Sequence, residues 1–165
     1  MNNKGISAII ATIILIALTL AIVAIVWGVV QNLVSQQLEE SGSCFNIFGK
    51  IELNPVYTCY NSSSNEFLFS INVGDIEVNE LVVSVSGQGT TKSYTLTANE
   101  EDIGLLTYPA RNNLVKKPGK NAGLTYISSD FASRPDTIRV SPVIGETQCE
   151  VSASIQTIES CSSFA

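Results

Sequence analysis

The sequence predicts an α+β protein: a long N-terminal hydrophobic α-helix followed by an antiparallel β-sandwich-like globular head. Two observations carry this. Ile6–Val30, ISAIIATIILIALTLAIVAIVWGVV, runs for 25 residues without a charge, Pro, Asn or Gln. From Cys44 onward the apolar spacing changes from helical to alternating, with turn residues between the runs. The expected division is a short leader at 1–5, the helix at 6–43 and the head at 44–165.

As a helix, Ile6–Val30 extends roughly 37 Å at about 1.5 Å per residue, enough to cross a hydrocarbon core of about 30 Å with some tilt. Lys4 and the terminal amine precede it, and Glu39 and Glu40 are the first charges after it. That asymmetry orients the N-terminus toward the cytoplasm and the head outward. Trp27, near the outer end, suits an interfacial anchor. Ala17, Ala21, Ala24 and Gly28 recur at spacings of 4, 3 and 4, so they share one helix face. Small residues on a stripe let helix backbones approach closely. The other faces are Ile, Leu and Val, which makes the helix apolar all round. Val30, Leu33, Val34 and Leu38 continue the apolar spacing, and the helix is expected to end near Glu40, with Gly42 as a left-handed cap.

Eight strands are expected in the head, at 48–53, 56–60, 66–73, 80–86, 92–97, 124–127, 137–140 and 149–155. Leu81, Val83 and Val85 alternate with Val82 and Ser84, which gives one firmly apolar face. Ser86-Gly87-Gln88-Gly89-Thr90 reads as a hairpin turn; it lacks the Lys-Ser or Lys-Thr of a phosphate loop and precedes a strand. Residues 98–123 are expected to form a long surface loop. It carries the acidic run Glu100-Glu101-Asp102 and the cations Lys116, Lys117 and Lys120, suited to pairing subunits or to solvation. Glu100, Glu101 and Asp102 are hard oxygen donors, but their spacing matches no defined cation loop.

Composition narrows the function classes. The net charge is −6 and no basic stripe is present, so nothing favours nucleic acid. His is absent, which removes the commonest general base and zinc ligand. No catalytic constellation is visible, and no cofactor or metal site is expected. The four Cys, Cys44, Cys59, Cys149 and Cys161, form no CxxC pair and lie on the expected outer side, so they read as disulfides. Cys44–Cys59 and Cys149–Cys161 is the expected pairing, because each closes a short local loop. Asn61-Ser62-Ser63 is the single N-x-Ser/Thr sequon, in a polar tract suited to a turn, and makes Asn61 a candidate glycan acceptor.

Lys4-Gly5 directly before the apolar run resembles a class III signal peptide, the processing signal of type IV pilins. The words ISAIIATIILIALTLAIV resemble the N-termini of archaeal pilins and archaellins. The resemblance covers residues 1–30. Bacterial pilins carry a Glu where this chain has Ile10; archaeal members commonly lack it. The resemblance implies cleavage between Gly5 and Ile6 by a prepilin peptidase, a membrane-lipid stage, and then a helical homopolymer of the chain with itself. A membrane platform protein and an assembly ATPase are the further partners it implies. The expected function is that of a pilin, the structural subunit of an archaeal type IV pilus-like filament, used for adhesion. The alternatives are a single-pass anchor for an outer binding module and an archaellin of a swimming filament. The chain lacks the Gly-x-Gly start that many archaellins show.

Overall fold

A computed structural model describes residues 4–45 and 47–161; within the helix, side chains are described from Ile10 to Ser35 and again from Cys44. The chain divides into two compact units, Met1–Gly42 and Ser43–Ala165. It is α+β: one long apolar helix and a mostly antiparallel β domain.

Helix α1 is Lys4–Phe45, 42 residues. It does not stop at Gly42, as expected from Ser41-Gly42-Ser43, but continues one further turn and carries Cys44 in that turn. A Gly inside a helix costs only about 1 kcal/mol. Cys44 is covalently tied to the head, and that tie fixes the last turn. Local propensity gives way to a tertiary bond.

The strands are β1 (Ile51–Leu53), β2 (Cys59–Asn61), β3 (Glu66–Val73), β4 (Glu80–Gly87), β5 (Thr90–Leu96), β6 (Leu105–Thr107), β7 (Ala122–Ser128), β8 (Thr137–Ile144), β9 (Thr147–Gln148), β10 (Ala153–Ile155) and β11 (Glu159–Ser160). One sheet has the order β11-β2-β3-β7-β6, and β1 shares the β2 edge of β3. The other has the order β10-β8-β4-β5, with β9 folded back on β8. All pairings are antiparallel except β11 with β2, which is parallel and sets Glu159 opposite Cys59.

Several expected strands change shape for local reasons. Pro55–Tyr57 forms a 3-10 turn in place of the start of a strand. The Asn54 side chain accepts the Val56 N–H at 3.0 Å and caps it. Across this turn the chain steps from β1, on the C-terminal half of β3, to β2, on its N-terminal half. The 149–155 run is broken; only Ala153–Ile155 is strand there. The expected long loop contributes β6 and a bridge between Glu101 and Val115. The hairpin is present as Gln88-Gly89, both at positive φ (50° and 77°), which suits the twist of the flanking strands. Gly87 beside it is required by space, since a Cβ there would lie 2.8 Å from the Pro135 backbone.

Alternation builds one core between the sheets. Phe67, Phe69 and Ile71 of β3 and Tyr126 of β7 face Leu81, Val83 and Val85 of β4 and Ile138 and Val140 of β8, all fully buried. Phe67 and Phe69 stack at 5.6 Å between centroids, and Phe131 meets Phe67 edge-on at 6.0 Å. A second cluster, Cys59, Leu68 and Ile127 with Leu106 and Cys161, covers part of the opposite face of the six-stranded sheet. Thus β3 is buried on both sides, which explains why its sequence EFLFSINV alternates imperfectly. The sheets are also joined by a polar clip. Tyr94 of β5 donates its hydroxyl to Asp130 at 2.8 Å and stands 2.8 Å from the Ser128 hydroxyl at the end of β7. Burial is the main cause that pushes the Tyr94 hydroxyl well above its ordinary pKa, so it stays a donor.

Candidate functional site

The features that point to a function are the exposed part of α1 and the cysteine pairs that frame the head. Ile10–Ser35, 26 residues, is long and apolar enough to cross a membrane, and every described side chain in it is exposed. Trp27, for example, is 64% exposed. Two of its hydroxyls are turned onto the helix itself: Thr19 donates to the Ile16 carbonyl at 2.8 Å and Ser35 to the Gln31 carbonyl at 2.9 Å. Internal satisfaction of this kind is what an apolar solvent demands. By length and composition the helix suits a membrane anchor or a signal segment.

Ala17, Ala21, Ala24 and Gly28 all lie on the described helix and are exposed. Steps of 4, 3 and 4 residues at about 100° each keep them within a narrow stripe. A Cβ at Gly28 would meet nothing within 4 Å. The Gly5–Ile6 junction lies in the first helical turns, and its side chains fall outside those described.

The cysteine pairing differs from the expected one. Cys44 is bonded to Cys149 with Cα atoms 5.5 Å apart, and Cys59 to Cys161 with Cα atoms 5.0 Å apart. The bonds span 105 and 102 residues, so neither closes a local loop. For Cys59–Cys161 the cause is the parallel β2–β11 pair, which brings Cys161 beside the second strand. There the Cys161 N–H donates to the Tyr60 carbonyl at 3.0 Å. On a chain-entropy account, closing a loop of about 100 residues removes about 4–5 kcal/mol of denatured-state freedom for one bond taken singly.

Asn61 ends β2, and its side-chain oxygen accepts the Ser63 N–H at 3.0 Å in the exposed turn to β3. That contact occupies the amide oxygen and leaves the nitrogen to other partners.

Glu100, Glu101, Asp102, Arg111, Lys116 and Lys120 of the 98–123 segment are used within the chain. Lys116 pairs with Glu100 at 3.0 Å, and Lys120 with Asp75 at 2.8 Å. Glu101 accepts the Thr97 hydroxyl at 3.0 Å, and Asp102 accepts the Asn113 amide at 3.0 Å. Exposed pairs of this kind are screened by solvent and contribute little to stability. Among the described residues no cluster of His, Cys, Asp and Glu is placed to hold a metal ion. Arg111, held at φ +54°, reaches Glu66 in an ion pair that keeps the Glu66 carboxyl below its ordinary pKa. Lys120 does the same for Asp75. A cleft of about 230 Å³ between Pro55, Val56, Thr58, Ile155, Thr157 and Glu159 offers a single carboxylate.

Sequence reasoning missed the Tyr94–Ser128–Asp130 clip. Only Tyr94 on the apolar phase of a strand hinted at a buried hydroxyl in need of a partner. Compared with family models, with curated proteins and with solved structures, the chain matches none.

Proposed function

We propose that the chain is the structural subunit of an archaeal type IV pilus-like filament that polymerises through α1 and serves in adhesion. One observation carries the reading: an uncharged apolar run begins directly behind Lys4-Gly5, and its 26 residues Ile10–Ser35 are exposed on the helix. Such a helix is at home in lipid before assembly. It can later bury its apolar surface against copies of itself, each buried Å² contributing about 25 cal/mol. The small-residue stripe supplies a face on which backbones can meet. Head-to-tail packing that does not close yields a helical fibre. Disulfides suit a head exposed to an oxidising exterior. In this reading Asn61 carries a glycan on the filament surface, the role is structural and not enzymatic, and the assembly partners are those the N-terminal resemblance implies.

The test is electron microscopy of fibres sheared from cells, with the intact mass of the chain recovered from them. The expected result is fibres built of a chain that begins at Ile6. A chain that starts at Met1 and stays in membranes without fibres indicates the permanent anchor and overturns the reading. Loss of swimming on deletion of the gene indicates the archaellin.

A further inference from the structure

Along the chain the bonded cysteines fall in the order Cys44, Cys59, Cys149, Cys161, and the bonds join the first to the third and the second to the fourth. We propose that this interleaving is a redundant bypass for tension. A pull that enters through α1 and leaves through the C-terminal end is carried by either disulfide alone, and β3 through β9 stay off its path. The inference does not depend on whether the chain is a filament subunit or an anchor.

Tension follows the shortest covalent route. One route crosses from Cys44 to Cys149 and runs 12 residues to Cys161; the other runs 15 residues from Cys44 to Cys59 and crosses to Cys161. Removing either bond leaves the other route intact. In all three cases residues 60–148 hang as a side loop, and these hold the whole of β3, β4, β5, β7 and β8. At about 3.3–3.6 Å per extended residue the short routes reach about 40–55 Å, whereas the backbone route from Cys44 to Cys161 reaches about 400 Å.

The strands left on the two short arms are short ones. β1 holds β3 through three residues, β10 holds β8 through three, and β11 holds β2 through two. Without the bonds a pull on the ends would begin at these strands and proceed inward. With them, the same strands are all that can yield.

Optical-tweezer stretching of the full chain in detergent micelles, with handles at its two ends, tests this. The reading is the contour length between Cys44 and Cys161 at full extension. The native chain, Cys44→Ser with Cys149→Ser, and Cys59→Ser with Cys161→Ser are each expected to extend to about 40–55 Å between these positions. The chain with all four substitutions is expected to extend to about 400 Å. Contour length at full extension reports the route even where a variant fails to fold. An extension of hundreds of ångströms in either two-serine variant, or a short extension in the four-serine chain, overturns the proposal.

Discussion

Replacing Gly28 by Leu separates the filament from the anchor. A Cβ at Gly28 meets no heavy atom within 4 Å, so the new side chain strains nothing inside the chain. Leu raises local helix propensity by about 0.8–1 kcal/mol over Gly, and lipid accepts it readily. The membrane-inserted monomer is therefore expected at its normal level. A filament in which Gly28 faces a neighbouring helix has no room for the added side chain. Overpacking a close contact costs about 1–3 kcal/mol, and about 2 kcal/mol lowers an association constant about 30-fold. The penalty recurs at every subunit, so fibre length and yield both fall. Ala21→Phe on the same face is expected to act alike. The assay is fibre protein sheared from cells beside mature protein left in membranes. Normal fibre yield from both variants, with normal membrane levels, would refute the idea that this stripe is the packing face.

Three further outcomes are expected. Non-reducing peptide mapping recovers Cys44 with Cys149 and Cys59 with Cys161; a peptide joining Cys44 to Cys59 contradicts the fold. Tyr94→Phe takes the 2.8 Å partner from the fully buried Ser128 hydroxyl, which keeps the longer contact with the Asp130 N–H at 3.3 Å, and costs about 1–3 kcal/mol, read as a melting temperature lower by about 4 °C or more; an unchanged melt removes the clip from the account. The Glu66 carboxyl has a depressed folded pKa, so its pairing with Arg111 is fully effective above the ordinary carboxylate range and is lost as pH falls below it. Arg111→Ala is therefore expected to weaken the head at pH 7 and to show less loss on going to pH 3 than the parent, whereas parallel pH profiles would show that the pair contributes nothing.

What the sequence revealed and what it hid divide by range. The apolar run, the strands β3, β4 and β5 and the Gln88-Gly89 turn are local, and composition with spacing was enough to find them. Gly42 misled because its signal is local and the bond that overrides it is not: Cys44 reaches a partner 105 residues away. The cysteine pairing failed for the same reason. A parallel contact between the second strand and the last leaves no trace in the spacing of either, since two- and three-residue strands carry too little pattern. β6 was hidden in a polar loop because three residues, Leu105–Thr107, suffice to cap the edge of β7. The small-residue stripe is a reading from spacing. Every described side chain of Ile10–Ser35 is exposed, so exposure does not single the stripe out, and the Gly28→Leu experiment decides its partner.

The crossed bonds also govern what a protease can remove. A single backbone cut anywhere between Cys44 and Cys161 always leaves its two pieces joined. Between Cys44 and Cys59 the first bond holds them, beyond Cys149 the second does, and in the long stretch between, both do. Two cuts, one before Cys59 and one after Cys149, still free nothing. A peptide is covalently released only when both cuts fall within one of these three segments. A nicked head therefore stays covalently linked to α1, as a head with neighbouring cysteines paired would not when cut between Cys59 and Cys149.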